Sequence, residues 1–170
     1  MIQEIKNKKI AIVGISGSGK STFSRKLVEK TGLPLFHMDQ LYWRGSWEAV
    51  PEAEYLKEHE MLVQKESWII EGYIDAKMAS RLRLADLVIY LDYPGWRCAW
   101  HLILRRLKYH KKNRPELPKE ALERLKWSFF KMVLTGGEHK DIEEAINIGK
   151  PLNLKQFRSP RELKKFLVNI

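Results

Sequence analysis

Gly14-Ile15-Ser16-Gly17-Ser18-Gly19-Lys20-Ser21 satisfies the pattern G-x-x-x-x-G-K-[ST] and directly follows the apolar run Ile10-Ala11-Ile12-Val13. A strand, a glycine loop and then an amphipathic stretch from Thr22 to Val28 arrive in the order a phosphate-binding loop requires. Gly14, Gly17 and Gly19 let backbone N–H groups turn inward around an anion, Lys20 brings an ammonium to the outer phosphates, and Ser21 offers a hydroxyl to Mg²⁺. The helix beginning near Thr22 points the positive end of its dipole at the same anion. Gly14, Ile15, Ser16, Gly17, Ser18, Gly19, Lys20, Ser21 and Thr22 are therefore the expected nucleotide contacts, with ATP and Mg²⁺ as the expected ligands.

The 170 residues suit one domain spanning 1–170, with no linker, internal repeat or low-complexity tract to divide it. The N-terminal stretch is too polar for a signal peptide, and no apolar run approaches a membrane span, so the expectation is a soluble, cytoplasmic protein with no membrane partner. A single cysteine, Cys98, excludes an internal disulfide and a cysteine-based metal cluster. Net charge is +10, and it is concentrated: residues 97–131 hold eleven Lys or Arg against three Glu. Such a segment attracts polyphosphate, nucleic acid or acidic membrane, and charge alone does not choose among them.

Beyond the loop, Pro34–Met38, Trp68–Ile70 and Leu87–Leu91 read as further strands, with Pro151–Leu154 as a fifth. Runs this apolar suit strands buried on both faces of a parallel sheet. Helical patterns cover 52–64, 76–84, a stretch marked by Trp96, Trp100, Ile103 and Leu107, another marked by Leu122, Leu125, Phe129 and Met132, and 140–148. The 96–107 helix is expected to pack its apolar stripe and to turn Arg97, His101, Arg105, Lys108 and Lys112 outward. Ser159-Pro160-Arg161-Glu162 reads as a capping box opening a last helix. The alternation predicts an α/β fold around a parallel sheet, with ligand at the carboxyl ends of the strands.

Asp39, Glu71 and Asp92 each follow a predicted strand and so fall at that ligand edge. Phosphoryl transfer uses one acid on the metal and another to orient or deprotonate the acceptor. A third strand beside the first favours Glu71 for the metal, a fourth beside it favours Asp92, and the sequence alone leaves that order open. Asp39 is the candidate for the acceptor side. Arg105 and Arg106, with Lys108, Lys111, Lys112 and Arg114, adjoin a proline-broken segment suited to a lid whose arginines stabilise the transferring group. Arg81 and Arg83 are alternatives for the acceptor or solvated surface residues. Trp68 and Trp100 fit core positions, Trp43 and Trp47 either line a pocket or cover the core, and His37, His101 and His110 show no metal-ligand spacing.

Through this loop, His37-Met38-Asp39-Gln40-Leu41-Tyr42-Trp43, Trp68-Ile69-Ile70-Glu71-Gly72-Tyr73 and Leu91-Asp92-Tyr93-Pro94, nearly the whole chain resembles the adenylate kinase-related branch of P-loop proteins, and within it the DNA topology modulation protein group. The resemblance implies a three-layer P-loop fold with a five-stranded parallel sheet in the order 2-3-1-4-5, Glu71 beside Ser21 at the metal, and a short mobile helical lid near 105–118. The chain departs from that pattern at Glu71-Gly72-Tyr73, where the group has Asp-Gly-Asn, and at His101, where it has Arg. Two functions follow as expectations: an ATP-dependent phosphotransferase acting on a nucleotide or other small acceptor, and a nucleic-acid-binding regulator working through the 97–131 segment. Asp92-Tyr93-Pro94-Gly95 also fits D-x-x-G of a GTPase, but no N-K-x-D accompanies it.

Overall fold

Ile10 to Val13 are 0–3 % exposed, so both faces of this run are covered and the strand lies at the centre of a sheet. The computed structural model describes residues 8–45, 47–109, 117 and 125–169. The elements in order are β1 (Lys9–Gly14), α1 (Lys20–Thr31), β2 (Leu35–His37), α2 (Met38–Tyr42), β3 (Trp43–Arg44), β4 (Glu48–Ala49), α3 (Glu52–Val63), β5 (Trp68–Glu71), a 3₁₀ turn (Ala76–Met78), α4 (Ser80–Leu84), β6 (Leu87–Leu91), α5 (Gly95–Lys108), α6 (Trp127–Leu134), α7 (Glu138–Gly149), β7 (Leu154–Phe157) and α8 (Pro160–Asn169). The main sheet runs β2-β5-β1-β6-β7 with every neighbouring pair parallel. Counted within that sheet alone, the order is 2-3-1-4-5, in a three-layer α/β fold.

Phe23 and Leu27 of α1, Leu62 and Val63 of α3, Leu82 of α4 and Ile142 and Ala145 of α7 bury their side chains in the same core as the strands. Helix α1 stops where Gly32 takes a left-handed conformation and returns its N–H to Val28 O at 2.8 Å. No described helix is long and apolar enough to cross a membrane.

Several expectations are corrected. The periodicity of α5 is right but its buried face is not: Trp96, Trp100 and Leu107 are 65, 56 and 69 % exposed, while Cys98, Ala99 and Leu102 are buried. The reason is close approach. A Cβ on Gly95 would lie 2.5 Å from the carbonyls of Val133 and Leu134 in α6, and Cys98 O lies against the phosphate loop, so the start of α5 turns small residues inward and a larger one, Leu102, is buried only a turn further on. The segment after β2 is α2 and a two-stranded ribbon of β3 and β4 rather than irregular chain. In it Tyr42, Trp43, Trp47 and Tyr55 form edge-on aromatic contacts with centroids 4.7–5.2 Å apart, a cluster over the core. The 76–84 helix is a 3₁₀ turn followed by the short α4, the last strand is Leu154–Phe157, and α6 begins only at Trp127. Leu122, His110, Lys111, Lys112 and Arg114 lie outside the described residues. At α8 the capping box forms as expected: Glu162 N donates to Ser159 Oγ, and the Glu162 carboxylate accepts from the backbone N–H of Ser159 and of Arg158.

Candidate functional site: the phosphate loop and its cleft

Between β1 and α1 the chain turns through Gly14, Gly17 and Gly19, all with positive φ. At Gly17 (φ +82°) a Cβ would stand 2.4 Å from Cys98 O, and at Gly14 it would stand 2.8 Å from Leu91 O, so backbone on two sides fills the space a side chain would need. Ser18 N donates to Ile15 O at 3.1 Å and Phe23 N to Gly19 O at 3.0 Å. Two further groups brace the loop from outside: Gly17 O lies 3.0 Å from His101 Nδ1, and Glu138 accepts from Ser16 N at 2.5 Å and from Ser16 Oγ at 3.0 Å. Lys20 Nζ donates to Gly14 O at 2.7 Å and Ile15 O at 3.0 Å, placing its ammonium across the mouth of the turn. Ser18 Oγ is buried with no hydrogen-bond partner.

The parallel register pairs His37 with Glu71 and Glu71 with Ile12, which stacks the carboxyl ends of β2, β5 and β1. Glu71 is 3 % exposed; it accepts from Ser21 Oγ at 3.1 Å and from His37 Nδ1 at 2.5 Å. Burial pushes its pKa up, but the His37 hydrogen bond, the Lys20 charge and Ser21 outweigh burial and hold it below the usual carboxylate value. Both β5 and β6 flank β1, so strand order alone does not choose between Glu71 and Asp92; their contacts separate them. Asp92 accepts from Gln156 Nε2 at 2.7 Å and pairs with His139 Nε2 at 3.4 Å and Arg158 Nε at 3.5 Å. Oxygen donors from Ser21 and Glu71 match the hard-cation chemistry of Mg²⁺, which takes one or two protein ligands and fills the rest with phosphate and water. Among the described residues there is no group of three His, Cys, Asp or Glu side chains able to hold a metal ion.

A cleft of about 600 Å³ opens over the loop, lined by Ser16 to Phe23 on its floor. Asp39, Glu71, Gly72 and Tyr73 enter it from the β2 and β5 side of β1. Tyr93, Pro160, Leu163 and Leu167 enter from the β6 and β7 side, and Arg105, Lys108 and Tyr109 from the end of α5. Arg105 thus reaches the cleft; Arg106 is not among its described lining residues. Tyr73 OH donates to Asp141 Oδ2 at 2.8 Å, and burial together with that carboxylate raises its pKa.

Sequence reading missed Glu138, Asp141 and the roles of His37 and His101. His37 follows from register once β2 and β5 are known to be neighbours. Glu138 stands 122 residues from Ser16 and leaves no local signal.

No protein-family model matches the chain, and no curated protein matches it. Solved structures do. A shikimate kinase from Acinetobacter baumannii in complex with shikimate matches at 18 % identity over 98 % of this chain and 95 % of that chain, with a TM-score of 0.63. A gluconokinase from Sinorhizobium meliloti 1021 matches at 13 % identity over 96 % and 89 %, with a TM-score of 0.56. A deoxyadenosine kinase from M. mycoides with bound dATP matches at 15 % identity over 95 % and 97 %, with a TM-score of 0.52. At these identities what is shared is the fold, and the fold is that of P-loop kinases.

Proposed function

We propose that the chain is an ATP-dependent phosphotransferase of the adenylate kinase-related type, moving the γ-phosphoryl of Mg-ATP to a nucleotide or other small acceptor. One observation carries the reading: the hydrogen-bonded series His37–Glu71–Ser21 ends at the open phosphate loop, in the cleft that Asp39 enters from the same side of the sheet. The solved kinases of this fold are named for small acceptors, shikimate, gluconate and deoxyadenosine, which fits a cleft of this size.

In this reading the loop amides and Lys20 hold the phosphate tail, with Lys20 exchanging the carbonyls of Gly14 and Ile15 for phosphate oxygens. Ser21 and Glu71 hold Mg²⁺, which when bound neutralises charge on the outer phosphates. His37 fixes the Glu71 carboxylate in its ionised state and orientation. Asp39 orients or deprotonates the acceptor, and Arg105, which enters the cleft from the end of α5, faces the transferring group. Replacing Lys20 by Ala removes one preorganised cation, and ADP release with any accepted substrate is expected to fall about 10²- to 10³-fold. Unchanged turnover in that variant sinks the mechanism.

A second reading rests on the exposed indoles of α5 and α6. Trp100 and Trp127 are 56 and 71 % exposed within the cationic 97–131 segment, Trp96 immediately before it is 65 % exposed, and single-stranded nucleic acid binds to aromatic platforms beside cations. Binding to an oligonucleotide would then weaken steeply with salt, and neutralising Arg105, Arg106, Lys111 and Lys112 would flatten that dependence. A salt-insensitive or absent interaction removes this reading.

A further inference from the structure

Trp96, Trp100, Ile103 and Leu107 stand at i, i+4, i+7 and i+11 of α5, a single stripe along the helix, and with Cys98, Ala99 and Leu102 facing the core that stripe is turned to solvent. Trp96, Trp100 and Leu107 are each more than half exposed, and Ile103 is half-buried. Helix α6 repeats the pattern: Trp127 is exposed, Phe130 stacks on it with ring centroids 5.3 Å apart, and Leu134, two turns beyond Trp127, is exposed as well. The two helices meet at Gly95, the residue before Trp96, where an added Cβ would lie 2.5 Å from Leu134 O. Trp96, Trp100, Leu107 and Trp127 are not among the residues lining the cleft.

Clustered large apolar side chains in water mark a surface that something else covers. Charge narrows what that is. Gly95–Lys108 and Trp127–Leu134 carry Arg97, Arg105, Arg106, Lys108 and Lys131 but no Asp or Glu, and the residue capping α6 is another cation, the exposed Lys126. A second copy of the chain, meeting this face with its own, would set these cations against each other, so the occupant is anionic. Single-stranded nucleic acid, the second reading above, stacks bases on indoles but leaves Ile103, Leu107 and Leu134 without an apolar partner. An anionic lipid surface accommodates every member of the set. Indoles settle at the level of the headgroups, aliphatic side chains reach the acyl boundary, and Lys126 and Lys131, both exposed, meet the negative headgroups.

We propose that the outer stripe of α5 and the Trp127 face of α6 dock the protein on an anionic membrane surface. The contact is peripheral, and no described helix is long and apolar enough to cross the bilayer. Helix α5 then has two working sides, with Trp96, Trp100 and Leu107 on the lipid and His101 and Arg105 in the cleft. Docking is independent of the phosphotransferase reading and stands or falls separately from it.

The test sediments the full chain with sucrose-loaded vesicles of phosphatidylcholine and phosphatidylserine in about a 3:1 ratio, and with vesicles of phosphatidylcholine alone. Binding to the mixed vesicles is expected to exceed binding to the neutral ones about fivefold for each cation engaged. Trp96→Ser with Trp100→Ser should lower partition onto the mixed vesicles about ten- to a hundredfold, while the melting curve stays close to wild type because both indoles are exposed. Leu107→Ser separates the two anionic occupants: it should weaken vesicle binding several-fold and leave binding to a single-stranded oligo-dT unmoved. A wild-type measurement needs no variant, since acyl chains brominated near the headgroup should quench the indole fluorescence. Absence of sedimentation with the mixed vesicles overturns the proposal, as does absence of quenching or vesicle binding unaltered in both variants. Oligo-dT binding without vesicle binding assigns the face to nucleic acid and overturns it equally.

Discussion

Gly17→Ala tests whether the phosphate loop is held in the shape the nucleotide needs. The methyl group meets two penalties. A non-glycine residue at φ +82° costs roughly 1–2 kcal/mol, and the new Cβ would lie 2.4 Å from Cys98 O, 3.0 Å from Cys98 C and 3.3 Å from Cys98 Cα. These are backbone atoms of α5, whose Cys98, Ala99 and Leu102 are packed in the core, so no side chain can swing aside. Relief requires the loop to move by about 1 Å, and a displacement of that size in a positioning group costs about 10²-fold. Gly19→Ala is the control. Its φ is +93°, but its Cβ would meet nothing within 4 Å, so it carries the conformational penalty without the collision. Calorimetry with Mg-ATP should therefore show Gly17→Ala binding about 10²-fold more weakly than Gly19→Ala, with far-UV circular dichroism of the two unchanged. Equal affinities in the two variants would refute the reasoning, because they would show that α5 does not shape the loop.

Three further outcomes follow from contacts in and around the site. Because the Glu71 pKa is lowered on folding, its carboxylate stabilises the protein above the unfolded value near 4.5, and that contribution disappears as pH falls through the folded value. Thermal melts from pH 7 to pH 3 should show Glu71→Gln less stable than wild type at neutral pH and the two curves converging in acid; a constant offset would contradict this. Glu138→Ala removes a charged acceptor from the half-buried N–H and hydroxyl of Ser16 and should cost about 1–3 kcal/mol in denaturant unfolding, whereas Glu138→Gln, which keeps an acceptor, should cost less. On α5, Leu102→Ala should cost about 2–5 kcal/mol and Trp100→Ser within about 0.5 kcal/mol, the reverse of what side-chain size alone suggests.

That reversal shows where the sequence stopped being legible. The period of α5 could be read, since Trp96, Trp100, Ile103 and Leu107 recur at helical spacing. Which face turns inward could not. Periodicity ranks faces by hydrophobicity, but this helix is pressed against the phosphate loop at Gly17 and against α6 at Gly95, and contact at that distance selects small residues over large ones. The strands were legible for the opposite reason: β1, β5 and β6 are covered on both faces, so their apolar runs are continuous and need no choice of face. The three acids were legible as residues at the ends of strands, but their partners were not.

The partners separate into those that topology implies and those it does not. With β5 lying between β1 and β2, Glu71 must stand beside both the loop that leaves β1 and the end of β2, so its contacts with Ser21 and His37 follow from strand order. Asp92 ends the strand on the other flank of β1, yet β7 lies beyond it and brings Gln156 and Arg158 to its carboxylate. The same sheet thus gives two equivalent acids unequal neighbours: Glu71 faces a hydroxyl and a loop built for anions, and Asp92 faces the Arg158 guanidinium, the His139 ring and an amide. Glu138 obeys no such rule. It reaches Ser16 because α7 begins at the loop end of the sheet, and the start of α7 depends on how α5 and α6 pack through Gly95. The phosphate loop is therefore shaped from one side by strand order and from the other by helix packing, and only the first of these is written locally in the chain.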